Sequence, residues 1–384
     1  MNILITGSNG FIAKNLISTL ENIRDGKDNS YHINSDICIY ECSRATSIEE
    51  LETYCKNADI VFHLAGINRP RNEEEYMAGN GGFTKKIVDL LEKNHNFCPI
   101  VLTSSIQVES DNKYGKSKRY AEDVVRKYAL ENNTKAYIYR LQNVFGKWCR
   151  PNYNSVVATF CYNISRDIPI EIRDEDYEMN LIYIDDVTDS FVTLLEISGE
   201  SENIVYKKIK NEFHVKLGEI AKMLYKFKKS RIDCFLPNTS ESSFEKKLYA
   251  TYLSYVPLEQ FSYLPKMNID ARGSFTEIFK TISHGQVSVN ISKPGITKGE
   301  HWHHTKCEKF VVVSGEGLIQ FRRFRDNKVI EYRVSGEQIE IVDIPPGYTH
   351  NIINIGESDM VTIMWCNECF DSDKPDTYYL KVKE

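Results

Sequence analysis

Apolar positions over the first 141 residues fall into short β-rich runs, at Ile3–Thr6, Ile37–Glu41, Ile60–Ala65, Ile100–Thr103 and Ala136–Leu141. Between them, segments such as Phe83–Glu92 and Lys116–Leu130 carry apolar side chains at the spacing of one helix face. This alternation predicts an α/β domain with a Rossmann-type, doubly wound parallel sheet. From residue 142 to about 235 the pattern stays mixed and includes a loop-rich stretch at Lys147–Tyr153. Periodicity weakens over Phe235–Pro265, where Pro237, Pro257 and Pro265 accompany a Ser/Glu cluster, and this stretch reads as a linker. Beyond residue 266 short strand-like runs recur: Gln286–Ile291, Lys309–Val313, Leu318–Phe324, Ile339–Ile344 and Val361–Trp365. Turns rich in Gly, Pro and Asn separate them and no long helix intervenes, so an all-β barrel or jelly roll is expected. Two domains follow, 1–245 and 246–384.

The totals narrow the function. At 384 residues with 41% hydrophobic and 27% charged positions, the chain can bury more than one core. A net charge of −6 leaves no basic footprint, so no nucleic-acid partner is expected. No apolar run approaches the roughly 18–20 residues a membrane helix needs, and no membrane insertion is expected. The start, Met-Asn-Ile-Leu-Ile-Thr-Gly, lacks a basic leader, and ten cysteines sit at irregular spacings, so a cytoplasmic protein with reduced thiols is expected. Cys366-Asn-Glu-Cys369 has no second pair to make a zinc ribbon and reads as ordinary thiols.

Gly7-Ser-Asn9-Gly10-Phe11-Ile12-Ala13 joins the first strand to a helix. Glycines there let the backbone approach a pyrophosphate at the helix N-terminus, where amides and dipole favour an anion. The second strand ends Tyr40-Glu41-Cys-Ser43-Arg44. Glu41 would suit the ribose hydroxyl of NAD, whereas Ser43 and Arg44 suit the extra phosphate of NADP, which favours NADP(H). Further on, Leu102-Thr-Ser104-Ser105-Ile-Gln-Val108 precedes Tyr114-Gly-Lys-Ser-Lys118. Tyr114 and Lys118 share a helix face, and a nearby ammonium favours the phenolate, so the tyrosine can exchange a proton with a substrate oxygen.

These residues resemble the extended short-chain dehydrogenase/reductase family, together with His63-Leu64-Ala65-Gly66, Asn80 and Tyr139-Arg-Leu-Gln-Asn143-Val-Phe-Gly146. The resemblance covers roughly residues 1–235. It implies Ser105, with Ser104 as the alternative, and Tyr114 and Lys118 as catalytic residues. It also implies cofactor contacts from Gly7, Asn9, Gly10, Phe11, Ile12, Ser43, Arg44, Leu64, Ala65, Gly66 and Asn80, as well as from Tyr114 and Lys118. Asn143, Arg150, Asn152 and Asn154 are expected near the nucleotide diphosphate of a sugar substrate.

The second half carries Gly295-Ile-Thr-Lys-Gly-Glu-His301-Trp-His303-His304-Thr-Lys-Cys-Glu308, then Pro345-Pro-Gly-Tyr348-Thr-His350. On a strand, His301 and His303 point to one face, while His304 points away. Three imidazoles and a carboxylate suit Zn²⁺ or another divalent first-row metal, leaving a position open. The pattern resembles the cupin motifs, which makes His301, His303, Glu308 and His350 the metal ligands. Asp270-Ala-Arg272-Gly273-Ser-Phe275-Thr-Glu277 resembles the first strand of deoxysugar 3,5-epimerases, cupins that work without metal. There a histidine at the position of His301 removes a proton beside a ketone, so His301 is expected as ligand or as base. Arg272 and Lys309 are candidate substrate contacts.

The order reductase then cupin resembles the bifunctional enzymes of capsular polysaccharide synthesis. That resemblance implies a zinc-bearing homodimer and a UDP-linked 4-keto-6-deoxy-N-acetylhexosamine as substrate. It implies C3 epimerisation followed by NADPH-dependent C4 reduction, toward UDP-N-acetyl-6-deoxy-L-talosamine. A plain 4-keto-sugar reductase with a scaffolding barrel, and a sugar-nucleotide-binding regulatory protein, are the alternatives.

Overall fold

The computed structural model describes residues 1–70, 72–196, 201–237, 244–281 and 285–383. The chain divides into two compact units, Met1–Leu224 with Glu241–Pro257, and Tyr225–Ser240 with Leu258–Glu384. The stretch read as a linker is therefore shared between the units, and part of it is helical. Helix Phe244–Leu253 buries Leu248, Thr251 and Tyr252, and it packs on helix Val156–Ser165. Leu248 and Tyr252 stand one turn apart on one face, a spacing the flanking prolines obscure.

The first unit is built on a six-stranded parallel sheet. Its strands run in the order Cys38–Cys42, Asn2–Thr6, Ile60–His63, Ile100–Ser105, Ala136–Leu141, Ile204–Lys207. Ile3 and Ile5 face one core and Leu4 the other, so helices cover both faces, as a parallel sheet requires. The strand order reverses beside Asn2–Thr6, which lies between the second and third strands. Ligands of doubly wound sheets bind in the crevice at such a reversal, beyond the carboxyl ends of the strands. A three-stranded sheet of Asn143–Phe145, Glu178–Tyr183 and Glu212–Lys216 adds to the same unit.

The second unit holds two antiparallel sheets of six and five strands, the expected jelly-roll barrel. Alternate residues of strand Glu308–Ser314 turn inward, and Phe310 and Val312 meet Ile319, Phe321, Val342 and Ile352 in its core. No helix among the described residues is long and apolar enough to cross a membrane.

Candidate active site and metal centre

The glycine turn is forced by contact. Gly7 has φ +71°, and a Cβ there would lie 2.8 Å from the Ala65 Cα. Gly10 donates its N–H to the Gly7 carbonyl at 2.7 Å. It caps helix Phe11–Arg24 without any side-chain hydrogen bond, so the first-turn amides are left for a ligand. Asn9, Gly10, Phe11, Ile12, Leu64 and Gly66 line one cavity of about 1070 Å³ with Ser105, Tyr114 and Lys118.

Behind the turn, His63 is buried between the Thr6 and Thr84 hydroxyls at 2.8 and 2.9 Å. Burial, with the nearby Lys118 charge, pushes its pKa down to about 3, so the ring is neutral. The Thr6 hydroxyl accepts the Ala65 N–H at 3.2 Å, tying the first strand to the loop after the third. Asn80 is buried and does not line the cavity. Its amide accepts the Ile67 N–H at 2.7 Å and donates to the Ser117 hydroxyl at 2.9 Å. The structure makes it a brace for the loop rather than a wall of the site.

The two serines separate by strand alternation. Ser104 donates to Glu122 at 2.6 Å inside the protein, where the same carboxylate meets Arg140 at 2.8 Å. Ser105 faces the cavity, and its hydroxyl is near enough to Tyr114 to favour the phenolate. Lys118 is buried and donates to the Thr103 carbonyl at 3.0 Å, with its Nζ 6.0 Å from the Tyr114 ring centre. Burial pushes the Lys118 pKa down to about 8, against the pull of Glu122. Burial also raises the Tyr114 phenol, outweighing the Ser105 hydrogen bond, and Tyr76 beside it acts in the same sense. In this environment burial disfavours the Tyr114 phenolate, and the Lys118 ammonium stands 6.0 Å from its ring.

Asn143, Arg150 and Asn154 also line the cavity, and Arg150 lies over the Tyr153 ring at 5.1 Å. Asn152 does not line it; its backbone N–H is taken by Thr159 at 2.9 Å. Ser43 and Arg44 also lie outside the lining, in the turn after strand Cys38–Cys42. That strand reaches the glycine turn through a Ser8 N–H to Cys42 carbonyl bond of 3.1 Å.

In the second unit, His301 pairs with His350 across adjacent strands, next to a register shift at Glu300, whose φ is +60°. Ligand atoms of His301, His303, Glu308 and His350 all lie within 4.8 Å of one another. His303 Nε2, Glu308 Oε2 and His350 Nε2 are buried without hydrogen-bond partners, an arrangement that fits a cation held among them. Glu308 stands 3.4 and 3.2 Å from the two imidazoles. Burial opposes its ionisation, but the imidazoles override this and hold the carboxyl well below its usual range. His303 is likewise penalised by burial, and Glu308 with the Asp376 carbonyl leaves it above the ordinary imidazole value. His301 is pushed down to about 4 by burial and by the neighbouring His350. His304 turns away to pack on Trp302 at 4.4 Å.

Sequence reading missed the support of this cluster. The Asp376 carbonyl meets His303 Nδ1 at 2.6 Å, which fixes the ring with Nε2 toward the cluster. The Asp376 carboxylate accepts the N–H groups of His304, Thr305 and Lys306 at 2.9, 2.9 and 3.0 Å. A cavity of about 840 Å³ opens on the cluster, lined by His301, His303, Glu308, Arg272 and Lys298. Arg272 is paired with Asp270 at 2.6 Å. Lys309 does not reach the cavity: it lies on the opposite strand face from Glu308 and pairs with Asp343.

Residues 3–206 match the NAD dependent epimerase/dehydratase family, and residues 268–378 match the polysaccharide biosynthesis C-terminal domain. Over 384 residues, 100% of both chains, the sequence is 41% identical to a UDP-2-acetamido-2,6-beta-L-arabino-hexul-4-ose reductase of Pseudomonas aeruginosa. The structure is similar to the capsular polysaccharide assembling protein CapF of Staphylococcus aureus, with TM-score 0.90 and 51% identity over 100% of both chains. A UDP-glucuronic acid 4-epimerase of Bacillus cereus shares the fold over 67% of this chain and 99% of its own, at TM-score 0.51 and 20% identity.

Proposed function

The chain belongs to the NAD dependent epimerase/dehydratase family, in a CapF-like arrangement, and on that premise we propose that it is a two-site UDP-sugar enzyme of capsular polysaccharide synthesis. The first unit is an NAD(P)-dependent reductase of a UDP-linked keto sugar, as in the Pseudomonas aeruginosa relative. The finer reading is C3 epimerisation of a UDP-2-acetamido-2,6-dideoxy-4-hexulose by the second unit, then C4 reduction with NADPH to UDP-N-acetyl-6-deoxy-L-talosamine. The enzyme works as a cytoplasmic homodimer with zinc in the barrel.

The observation that carries the reductase reading is the meeting of Ser105, Tyr114 and Lys118 in the cavity that begins at the glycine turn. NADPH, when bound, supplies the hydride. Ser105 holds the ketone oxygen, and Tyr114, kept protonated by its surroundings, donates the proton to it. Lys118, an ammonium near neutral pH with a donor to spare, binds the ribose hydroxyls. Ser43 and Arg44, in the turn after strand Cys38–Cys42, would be the residues to hold an extra ribose phosphate.

A divalent metal in the barrel supplies Lewis-acid stabilisation of negative charge beside the ketone. His303, Glu308 and His350 would hold it, and His301, in the same cluster, faces the cavity. Both roles open to His301, ligand and base for the C3 proton, place it against the reacting sugar, so its loss removes exchange either way. Oxidation of NADPH upon addition of the UDP-4-keto sugar, seen as loss of nicotinamide absorbance, tests the reductase. Absence of any oxidation by the intact chain sinks the reading.

A further inference from the structure

Strand Ala136–Leu141 ends opposite Ser105, because Leu141 is the register partner of that serine. The next residue, Gln142, lines the same cavity as Ser105, Tyr114 and Asn143. Its Oε1 is buried and has no hydrogen-bond partner. Among the described residues, two other orphaned oxygens of the first unit, on Asn15 and Asn163, lie within helices and do not line the cavity. The neighbour Asn143 donates to the Asn180 carbonyl at 3.2 Å. Gln142 is thus a buried acceptor in the cavity of Ser105 and Tyr114, and such a group is costly until a ligand supplies a donor.

On the functional reading above, the ketone carbon C4 has two ring neighbours. C5 carries a methyl group, which cannot donate, and C3 carries a hydroxyl. We propose that Gln142 is a specificity-determining residue of the reductase, accepting a hydrogen bond from the C3 hydroxyl in one configuration only. A hydroxyl suits either face of the amide, since it both donates and accepts. Inversion at C3 swings that hydroxyl to the other side of the ring and leaves the Gln142 oxygen unpaired, and a site built around such a bond rejects the substrate lacking it. The reductase then draws one C3 epimer out of the mixture that the second unit supplies.

The test uses the full chain with zinc, NADPH and the UDP-2-acetamido-2,6-dideoxy-4-hexulose in D₂O. Proton NMR reads deuterium at C3 and the ratio of C3 epimers among the C4-reduced products. Gln142→Leu is expected to keep the deuterium and to shift the epimer ratio about tenfold or more toward the disfavoured product. Gln142→Glu, which keeps an acceptor, is expected to hold the wild-type ratio. An unchanged ratio in Gln142→Leu, or an equal shift in both variants, overturns the proposal. If Gln142→Leu fails to bind NADPH, Gln142→Met takes its place and must shift the ratio while Gln142→Glu holds it. Missing deuterium with the wild type sinks the epimerase reading instead. The two C3 epimers, supplied separately, then decide the role of Gln142 through their kcat/KM values: equal discrimination in wild type and Gln142→Leu overturns it.

Discussion

Tyr114 and Ser105 line one cavity, and their environment bears on the proton step proposed for them. A neutral phenol donates a proton, and burial raises the Tyr114 phenol, which favours that form. Tyr114→Phe therefore lowers the rate of NADPH oxidation by about 10²–10⁴-fold, while deuterium exchange at C3 continues at the wild-type rate. Loss of both activities would contradict separate sites. His63 provides a pH signature of the same unit. Its imidazole titrates near 6.5 when unfolded and near 3 when folded, so below about pH 6.5 the unfolded chain binds a proton that the native one refuses. Stability then falls with falling pH, by about 1.4 kcal/mol per pH unit for this group. Urea unfolding followed between pH 7 and about pH 5 gives a slope smaller by one proton in His63→Asn than in the wild type. Equal slopes would mean that His63 is charged in the fold. The motifs made Tyr114 and Lys118 legible, because a helix face follows from spacing. The motif placed the hydroxyl on Ser105 before Ser104, and what it did not show was Glu122, which draws Ser104 inward.

Among the elements, the glycine turn after the first strand and the start of the next helix line the cavity proposed for the dinucleotide. Gly7→Ala would put a Cβ against the loop after the third strand and strain a residue at φ +71°. Such strain costs roughly 1–3 kcal/mol, and NADPH affinity measured by titration calorimetry is expected to fall about 10-fold or more. Unaltered affinity would remove the turn from the binding site. The strand–helix alternation and the barrel strands could be read from apolar periodicity, since each buries a repeating face. Helix Phe244–Leu253 could not, because prolines on both sides and a Ser/Glu cluster gave that stretch the composition of a linker. The support from Asp376 was equally hidden. It acts through a backbone carbonyl and through bonds to residues about 70 positions away in the chain, which no local pattern records.

At the scale of the molecule, the two units carry the two proposed sites: the cavity of Ser105, Tyr114 and Lys118, and the cluster of three histidines and Glu308. The units should then fail separately. Removing metal with a chelator is expected to abolish C3 exchange and to leave NADPH oxidation with the already epimerised sugar unchanged; zinc restores exchange. Asp376→Ala, which frees the residues around His303, is expected to weaken zinc binding about 10–100-fold, as read by competition with a chromogenic chelator. Full zinc affinity in that variant would show that the turn at Asp376 does not orient the ligand. The most direct measurement is proton NMR of the UDP-2-acetamido-2,6-dideoxy-4-hexulose with the intact chain in D₂O, without NADPH. Deuterium should appear at C3 with the wild type and with Tyr114→Phe, and not with His301→Ala. A wild-type enzyme that leaves C3 protonated while reducing the ketone once NADPH is added would reduce the barrel to a scaffold and the chain to a plain reductase.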